Sequence, residues 1–208
     1  MIHVPEMFAE RDEDRLFELI ERNAFATMIT QGGPEPWVSH LPFLLDRRRR
    51  VLRAHMARGN GHWKALESAA ESLVIFHGPH HYVSPRWYDH HPSVPTWNYA
   101  TVHVQGRARI LADREEMRAL LAELVRAVER GPGAWEMELP ADYFNRMLSG
   151  IVGFEMPIAK LTGKFKLSQN RPPTDRPRVI AALQATGSDA GRELARLMRR
   201  DGERLTSK

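Results

Sequence analysis

Side chains that alternate between apolar and polar impose a β-sheet on residues 100–110. The even positions from Ala100 to Ile110 are small or apolar, whereas the odd positions from His103 to Arg109 are polar. A period of two residues is the pattern of a strand with one buried face. The chain must therefore provide neighbouring strands and a core on one side of this segment.

The entrance to this strand carries a different set of side chains. Trp97, Asn98 and Tyr99 follow Pro95 and extend the run beyond the length of a typical strand. Tryptophan and tyrosine combine a flat apolar face with a polar group, which suits a planar ligand or a subunit interface as well as a core. The entrance is therefore either the start of a strand or the wall of a binding site.

Further strand and helix patterns surround this segment. Turn-forming residues and apolar runs predict strands over residues 24–30, 37–45, 51–57, 73–78, 150–158 and 160–167. Helical periodicity predicts helices over residues 12–23, 59–67 and 113–130 and at the end of the chain, and residues 79–95 are predicted to be a loop. Short strands joined by tight turns, with helices inserted, indicate a small antiparallel barrel of the α+β class.

Composition limits the possible architectures. A chain of 208 residues, 42% of them hydrophobic, can bury one main core, and without cysteine it forms neither disulfides nor thiolate metal sites. The first residues lack the apolar core of a signal peptide, and no apolar run has membrane-spanning length. We therefore expect a soluble cytoplasmic protein with no membrane partner.

The excess positive charge lies at the C-terminal end. Residues 171–208 contain nine Arg or Lys against five Asp or Glu, which accounts for the whole net charge of +4. A helix here would turn Leu194, Leu197 and Met198 toward the protein and align arginines along one side. The tail arginines are Arg192, Arg196, Arg199, Arg200 and Arg204. Such a face either contacts DNA phosphates or is simply solvated.

A second candidate site lies where the third predicted strand leads into a helix. The sequence ARGNGHWKAL places Asn60 where a helix N-cap belongs and Lys64 about one turn later. Unpaired N–H groups at a helix start, with charge from Arg58 and Lys64, would hold a phosphate. An ordinary N-cap beside a surface lysine is the alternative, and no Walker or Rossmann glycine pattern decides between the two.

Motifs for other chemistries are incomplete. His77, His80 and His81 fit part of a zinc pattern, but no carboxylate pattern completes it, so we expect no metal. Ser149 lacks the preceding glycine of a hydrolase nucleophile elbow. The residues themselves identify no catalytic acid, base or nucleophile.

Eight stretches of the chain recur in one protein family in the same order. They are VPEMF, FATMIT, SHLPFLLD, AHMARGNGHWKAL, FHGPHHYVSPRWY, VPTWNYATVHVQGRA, GIVGFEMPIAKLTGKFKLSQNRP and DRPRVIAAL. By these stretches, which span nearly the whole chain, the sequence resembles the PaiB family of FMN-binding negative transcriptional regulators. The resemblance implies a mainly antiparallel split β-barrel with peripheral helices over residues 1–170 and a basic C-terminal helical extension over residues 171–208.

The resemblance also implies a homodimer that binds FMN in a cleft between its subunits. Carried over position by position, the cofactor-binding residues are His55, Met56, Arg58, Asn60, Trp63, Lys64, Trp97, Asn98, Tyr99, Lys166 and Gln169. The first six approach or hold the phosphate, and the next three line the flavin ring. The last two contact the flavin, the partner chain or only their own fold.

For function, the resemblance implies an FMN-binding negative transcriptional regulator, and the basic C-terminal segment is the candidate surface for any direct contact with DNA. The alternative is a flavin-dependent oxidoreductase without direct DNA binding, similar to flavin reductases or haem-degrading enzymes, because split barrels host several functions. A flavin-storing or structural dimer is a third class.

Overall fold

The computed structural model describes residues 2–68 and 71–206 and arranges the chain as two compact units. The first unit is built from Met1–Leu16, His77–Val102 and Thr162–Lys208, and the second from Phe17–Phe76 and His103–Leu161. Helices and mostly antiparallel strands make up the fold, so the predicted α+β class is confirmed. Neither unit ends at the predicted boundary between residues 170 and 171.

The strands and helices follow one another along the chain. The strands are β1 (Ala9–Glu10), β2 (Phe25–Gln31), β3 (Pro36–Pro42), β4 (Leu44–Asp46), β5 (Val51–Ala57), β6 (Glu71–Val83), β7 (Thr96–Arg107), β8 (Arg109–Ile110), β9 (Ile151–Pro157) and β10 (Lys160–Lys166). The α-helices are α1 (Glu13–Arg22), α2 (His62–Glu67), α3 (Arg114–Val128), α4 (Ala141–Ser149), α5 (Asp175–Ala185) and α6 (Asp189–Thr206).

The strand predicted over residues 37–45 is interrupted at Phe43. Its two parts, β3 and β4, belong to different sheets, and Phe43 lies at the corner where the chain leaves one sheet for the other. The ring of Phe43 meets those of Phe76 and Phe154 edge-on, with centroids 5.8 and 6.1 Å away. Burial of this aromatic ring therefore overrides the continuous strand pattern.

Two further elements differ from the sequence prediction. Strand β6 continues to Val83 through residues predicted to be a loop. The extension contains Pro79. In the described residues β2 pairs with residues 72–75 of β6, and proline is tolerated where a strand lacks a neighbour on one side. Helix α4 was not predicted; it buries Phe144 and Leu148 on one face.

The second unit contains a four-stranded antiparallel sheet in the order β4-β5-β9-β8. Strand β5 pairs with β9 along its whole length, from Val51 opposite Pro157 to Ala57 opposite Ile151. Helices α3 and α4 pack together with the residue after β8 through an apolar cluster: Leu111, Met117, Leu120, Phe144 and Leu148. A Cβ atom at Gly153 would lie 2.1 Å from the sulfur of Met117, so this close helix approach requires glycine.

The first unit places its strands in the order β1-β10-β7-β6 and contains helices α5 and α6. Helix α6 buries Leu194, Ala195 and Met198, which confirms the predicted inward positions of Leu194 and Met198. Among the described residues, no helix is long and apolar enough to cross a membrane.

Ion pairs join α6 to the rest of the first unit. Asp201 accepts hydrogen bonds from Arg176 at 2.6 Å and from Arg15 at 3.4 Å, and Arg15 also pairs with Glu10 at 2.5 Å. These side chains are mostly buried, so losing one partner would leave a poorly solvated charge. The C-terminal helix is therefore part of this unit's folded structure.

Candidate functional site

The turn between β5 and α2 is held in place by Arg58. Its backbone N–H donates to the carbonyl of Gly150 at 2.8 Å, and its guanidinium donates to the carbonyls of Ser149 at 2.8 Å and Ile151 at 3.0 Å. The indole N–H of Trp63 donates back to the carbonyl of Arg58 at 3.0 Å. These bonds tie the turn to the junction between α4 and β9.

Two cations share the indole ring of Trp63. The guanidinium carbon of Arg58 and the ammonium of Lys64 each lie 5.8 Å from the ring centroid. Both side chains are exposed, and neither forms an ion pair with a carboxylate in the described part of the chain. Two unpaired cations on one aromatic side chain provide charge-assisted donors for a phosphate and a flat surface beside them.

Asn60 lies one residue before the position assigned as the N-cap of α2, but its side chain still bonds to the start of the helix. Helix α2 begins at His62, its assigned N-cap residue is Gly61, and it has six residues. The side-chain oxygen Oδ1 of Asn60 accepts from the backbone N–H of His62 at 3.1 Å, and the side-chain amide donates to the hydroxyl of Ser39 at 2.9 Å. Because so short a helix has a small dipole, any phosphate bound here would depend on the side chains of Arg58 and Lys64.

A buried hydrogen-bond chain lies directly behind this turn. His62 is fully buried; its Nδ1 lies 2.8 Å from the Ser39 hydroxyl and its Nε2 lies 2.8 Å from the Thr30 hydroxyl. Thr30 in turn lies 2.7 Å from the hydroxyl of Ser72. The chain connects strands β2, β3 and β6 to the first residue of α2, and Trp37 stacks on the imidazole with centroids 6.2 Å apart.

A neutral imidazole donates from one ring nitrogen and accepts at the other. His62 therefore donates to one of the hydroxyls of Ser39 and Thr30 and accepts from the other, and this assignment holds only for an uncharged ring. Burial lowers the pKa of His62, so the neutral form that this assignment requires is favoured.

The two remaining predicted residues of β5 have different environments. Burial lowers the pKa of His55, and its Nδ1 is buried without a hydrogen-bond partner among the described residues. A ligand donor would satisfy this nitrogen. The side chain of Met56 is buried in the core, so the structure gives it a packing role.

A cavity of about 450 Å³ opens beside Arg58 and Trp63. Its lining is largely apolar and includes Leu111, Met117 and Val152, with charged groups at the margin. This volume falls within the usual size of small-molecule sites. The second unit therefore combines two unpaired cations, an indole ring and an adjoining cavity.

The predicted ring-binding residues lie in the first unit. Trp97 is 54% exposed, and its ring lies 6.3 Å from that of His80 and 6.2 Å from that of Tyr82. Tyr99 is half-buried, and the ammonium of Lys164 lies 5.6 Å from its ring. Trp97 therefore offers an accessible aromatic face.

Asn98 faces the interior of the first unit. It is fully buried, and its amide donates to the hydroxyl of Ser168 at 2.8 Å and lies 3.7 Å from the sulfur of Met198. In this position it holds the entrance of β7 to the segment after β10. The side-chain oxygen of Asn98 is buried without a hydrogen-bond partner among the described residues, as is Nδ1 of His55, so the predicted flavin contact by Asn98 stays a prediction.

Gln169 and Lys166 also have distinct local roles. The Gln169 side chain accepts from the N–H of Leu167 at 2.7 Å and donates to the carbonyl of Phe165 at 2.6 Å, so it closes the end of β10. Lys166 donates to the hydroxyl of Thr96. Burial lowers the pKa of Lys166, and repulsion by Lys164 and Arg171 lowers it further.

The structure thus brings the predicted residues together in two groups, each within one unit. Arg58, Trp63 and Lys64 meet in the second unit. Trp97, Tyr99 and Lys166 lie in the first unit. Sequence reasoning missed His62 as the centre of the buried chain, because nothing in the sequence pairs position 62 with positions 30, 39 and 72. In the part of the chain that the structure describes, no three His, Asp or Glu side chains gather as a metal site requires.

Solved structures share this fold. The flavocytochrome Anf3 from Azotobacter vinelandii matches with a TM-score of 0.67 at 17% identity, covering 84% of this chain and 78% of that one. The FAD and haem binding protein from Mycobacterium smegmatis matches with a TM-score of 0.57 at 18% identity, covering 84% and 79%. The fold is therefore the flavin-binding split barrel that the resemblance implied.

Similarity in sequence is more specific. A family model described as "Putative FMN-binding domain" matches residues 2–160. The protease synthase and sporulation protein PAI 2 of Bacillus subtilis is 32% identical over 202 residues, 95% of this chain and 96% of that protein. An uncharacterized protein of Emericella nidulans is 34% identical over 205 residues, 79% of this chain and 82% of that protein. The chain therefore belongs to the PaiB family of FMN-binding proteins, and the FMN prediction is confirmed at the level of this family.

The buried imidazole makes the folding stability depend on pH. At pH 7.5 the variant His62→Gln should be less stable than the wild type by about 1–3 kcal/mol, because hydroxyl groups lose their partners. The folded pKa of His62 lies below its ordinary value of 6.5, so below that pH the unfolded chain binds more protons and the wild type loses stability. The gap between the two proteins should therefore narrow toward pH 5.

Urea denaturation across this pH range measures the gap. His40→Gln, which removes an exposed imidazole from β3, is the matched control and should keep the pH dependence of the wild type. A gap that stays constant from pH 7.5 to pH 5 would show that His62 is not held in the neutral form.

Proposed function

We propose that this protein is an FMN-binding negative transcriptional regulator of the PaiB type. The observation that carries the proposal is the match along 95% of the chain to the Bacillus subtilis protein PAI 2. The name of that relative refers to protease synthesis and sporulation, which are cellular programmes rather than one chemical reaction. A regulator that meets DNA acts in the cytoplasm, and we place the protein there on the same ground.

The residues of the second unit fit the FMN phosphate. Arg58 and Lys64 supply two cations without carboxylate partners, and Trp63 supplies the flat surface between them. The unpartnered Nδ1 of His55 is a further acceptor in the same strand and turn. When bound, FMN supplies an isoalloxazine ring that exchanges electrons. The protein holds the phosphate, excludes water and orients that ring.

Phosphate recognition by these two cations is testable. Arg58→Ala and Lys64→Ala should each weaken FMN binding about ten-fold or more and riboflavin binding much less, because only FMN carries the phosphate. Quenching of flavin fluorescence measures both affinities. Lys160→Ala, an exposed lysine of the second unit, is the control and should leave both affinities unchanged. Equal losses for FMN and riboflavin would contradict the assignment.

We also propose that the protein is a homodimer. In the second unit, β2 and β3 bury Ala26, Met28 and Leu41 on one face and leave apolar side chains on the other. Phe25 is 69% exposed and Val38 is 52% exposed. This outer face of β2 and β3 suits a second copy of the chain, since a two-fold interface buries the same apolar patch twice.

A charge on this face should separate the subunits. Val38→Asp is expected to give a monomer in light scattering at micromolar concentration, whereas the wild type gives twice the chain mass. Val128→Asp places the same charge on the end of α3, where the valine is 77% exposed, and should remain dimeric. A wild-type monomer that binds FMN at full affinity would refute the dimer proposal.

DNA contact is proposed through α6. Arg196, Arg199 and Arg200 are exposed on this helix. Within the predicted basic face, Arg192 pairs with Asp189 at 2.5 Å, Arg204 pairs with Asp12 at 2.7 Å, and Arg199 donates to the side chain of Gln184 at 2.5 Å. We expect these exposed arginines of a dimer to approach DNA phosphates, with affinity that falls steeply as salt rises.

Substitution tests this face better than truncation, because α6 supplies buried side chains to its unit. Replacing Arg196, Arg199 and Arg200 together by Gln should weaken binding to genomic fragments and reduce the salt dependence by roughly one counterion per lost contact. Fluorescence anisotropy at two salt concentrations measures both effects. The control replaces three exposed arginines in or just after α3, namely Arg114, Arg126 and Arg130.

The second candidate function is a flavin-dependent oxidoreductase. The cavity beside Arg58 and Trp63 favours it, since an enzyme needs space for a substrate. If the intact protein binds no DNA fragment at low salt but catalytically oxidises NADH or NADPH with FMN bound, this function replaces the regulator.

A further inference from the structure

Three cations of the first unit form a group that we call the basic cluster: Lys164, Lys166 and Arg171. None of them forms an ion pair in the described part of the chain. Six other arginines of this unit pair with a carboxylate: Arg11, Arg15, Arg176, Arg178, Arg192 and Arg204. Arg86, Arg196 and Arg199 have no carboxylate partner among the described residues either. The basic cluster differs from these in that its cations lie close enough for Lys164 and Arg171 to repel the charge of Lys166.

Uncharged groups position the two outer cations. Lys164 donates to the carbonyl of His3 at 2.9 Å and lies over the ring of Tyr99. Arg171 donates to the hydroxyl of Ser93 at 3.2 Å, and its guanidinium carbon lies 3.9 Å from the centroid of the Tyr88 ring. Each cation is therefore oriented by partners that leave its charge uncompensated.

Lys166 is the third cation of the basic cluster, and both Lys164 and Arg171 act on its charge. It is half-buried, its ammonium donates to the hydroxyl of Thr96, and both Lys164 and Arg171 repel its charge. Burial and this repulsion lower the pKa of Lys166. An anion bound here would offset the repulsion among the three cations. Its oxygens would accept hydrogen bonds from the N–H groups of the two ammonium groups and the guanidinium that have no other partner.

An aromatic surface begins next to the basic cluster. Lys164 lies over the ring of Tyr99, and Trp97, two residues earlier in β7, is on the same face of the strand. The exposed ring of Trp97 adjoins those of His80 and Tyr82. A planar molecule with one anionic group could place that group on the basic cluster and its ring on these side chains. Charge and apolar surface are both available within the first unit.

We propose that the basic cluster binds the phosphate or carboxylate group of a small aromatic molecule other than the FMN phosphate. The proposal rests on the proposed FMN function, in which Arg58 and Lys64 of the second unit hold that phosphate. The bound molecule would be a substrate or an effector of the flavoprotein. Inorganic phosphate and benzoate are the minimal probes for the two anionic groups.

Calorimetric titration of the FMN-saturated protein with inorganic phosphate and with benzoate tests the proposal. A chloride salt keeps the ionic strength constant in all titrations. At least one probe should bind saturably, and Lys166→Gln and Arg171→Gln should each weaken it about ten-fold or more. Lys160→Gln, at the exposed start of β10, is the matched control and should change nothing. Binding should raise the pKa of Lys166, so titrations in buffers of different ionisation enthalpy should show proton uptake at alkaline pH that Lys166→Gln abolishes.

Three outcomes would overturn the proposal. The first is that neither probe binds, or that the control variant weakens binding as much as Lys166→Gln does. The second is that Lys166→Gln and Arg171→Gln selectively weaken FMN relative to riboflavin, which would make the basic cluster the FMN phosphate site. The third is binding of duplex DNA alone. The FMN affinity of the same variants shows separately whether the proposed FMN function stands. If Lys166→Gln does not fold, Lys164→Gln replaces it in the titrations.

Discussion

The fully buried imidazole of His62 is the interaction on which the candidate FMN site depends. Its two ring nitrogens hydrogen-bond to the hydroxyls of Ser39 and Thr30, so two strands of the second unit hold the first residue of α2. Asn60 is fixed by the same hydroxyl of Ser39 and by the N–H of His62. These buried hydrogen bonds therefore fix the conformation of the turn with Arg58 and of the start of α2 with Lys64. Both cationic side chains remain exposed.

Charge pairing distinguishes structural cations from candidate ligand-binding cations. In the first unit, Arg15 and Arg176 serve folding, because their partner Asp201 joins α6 to the N-terminal segment. The basic cluster and the pair Arg58 and Lys64 have no such partner among the described residues. Cations that are at least partly exposed and have no carboxylate partner can donate charge-assisted hydrogen bonds to an anionic ligand.

Much of the fold could be predicted from local patterns. The strand over residues 51–57 appears with the same bounds. The helix predicted to begin at Asp113 has that residue as its N-cap, and the Asp113 carboxylate accepts from the N–H of Glu115 at 2.6 Å. These predictions succeed because alternation and capping depend on neighbours in sequence. The break at Phe43 and the length of β6 depend on which sheet each residue joins, and no local pattern contains that information.

For the site, the sequence by itself determined the family, the FMN cofactor of that family and the two segments that carry the cations. Residue types such as Arg58, Lys64 and Lys166 are visible in the sequence, whereas their pairing is not. Only the tertiary structure decided that Asn98 and Met56 are buried and that α2 is too short to hold a phosphate by its dipole. It also decided that Arg192 and Arg204 form ion pairs with Asp189 and Asp12. The physical reason is that burial and charge compensation come from residues distant in sequence, and folding alone brings these together.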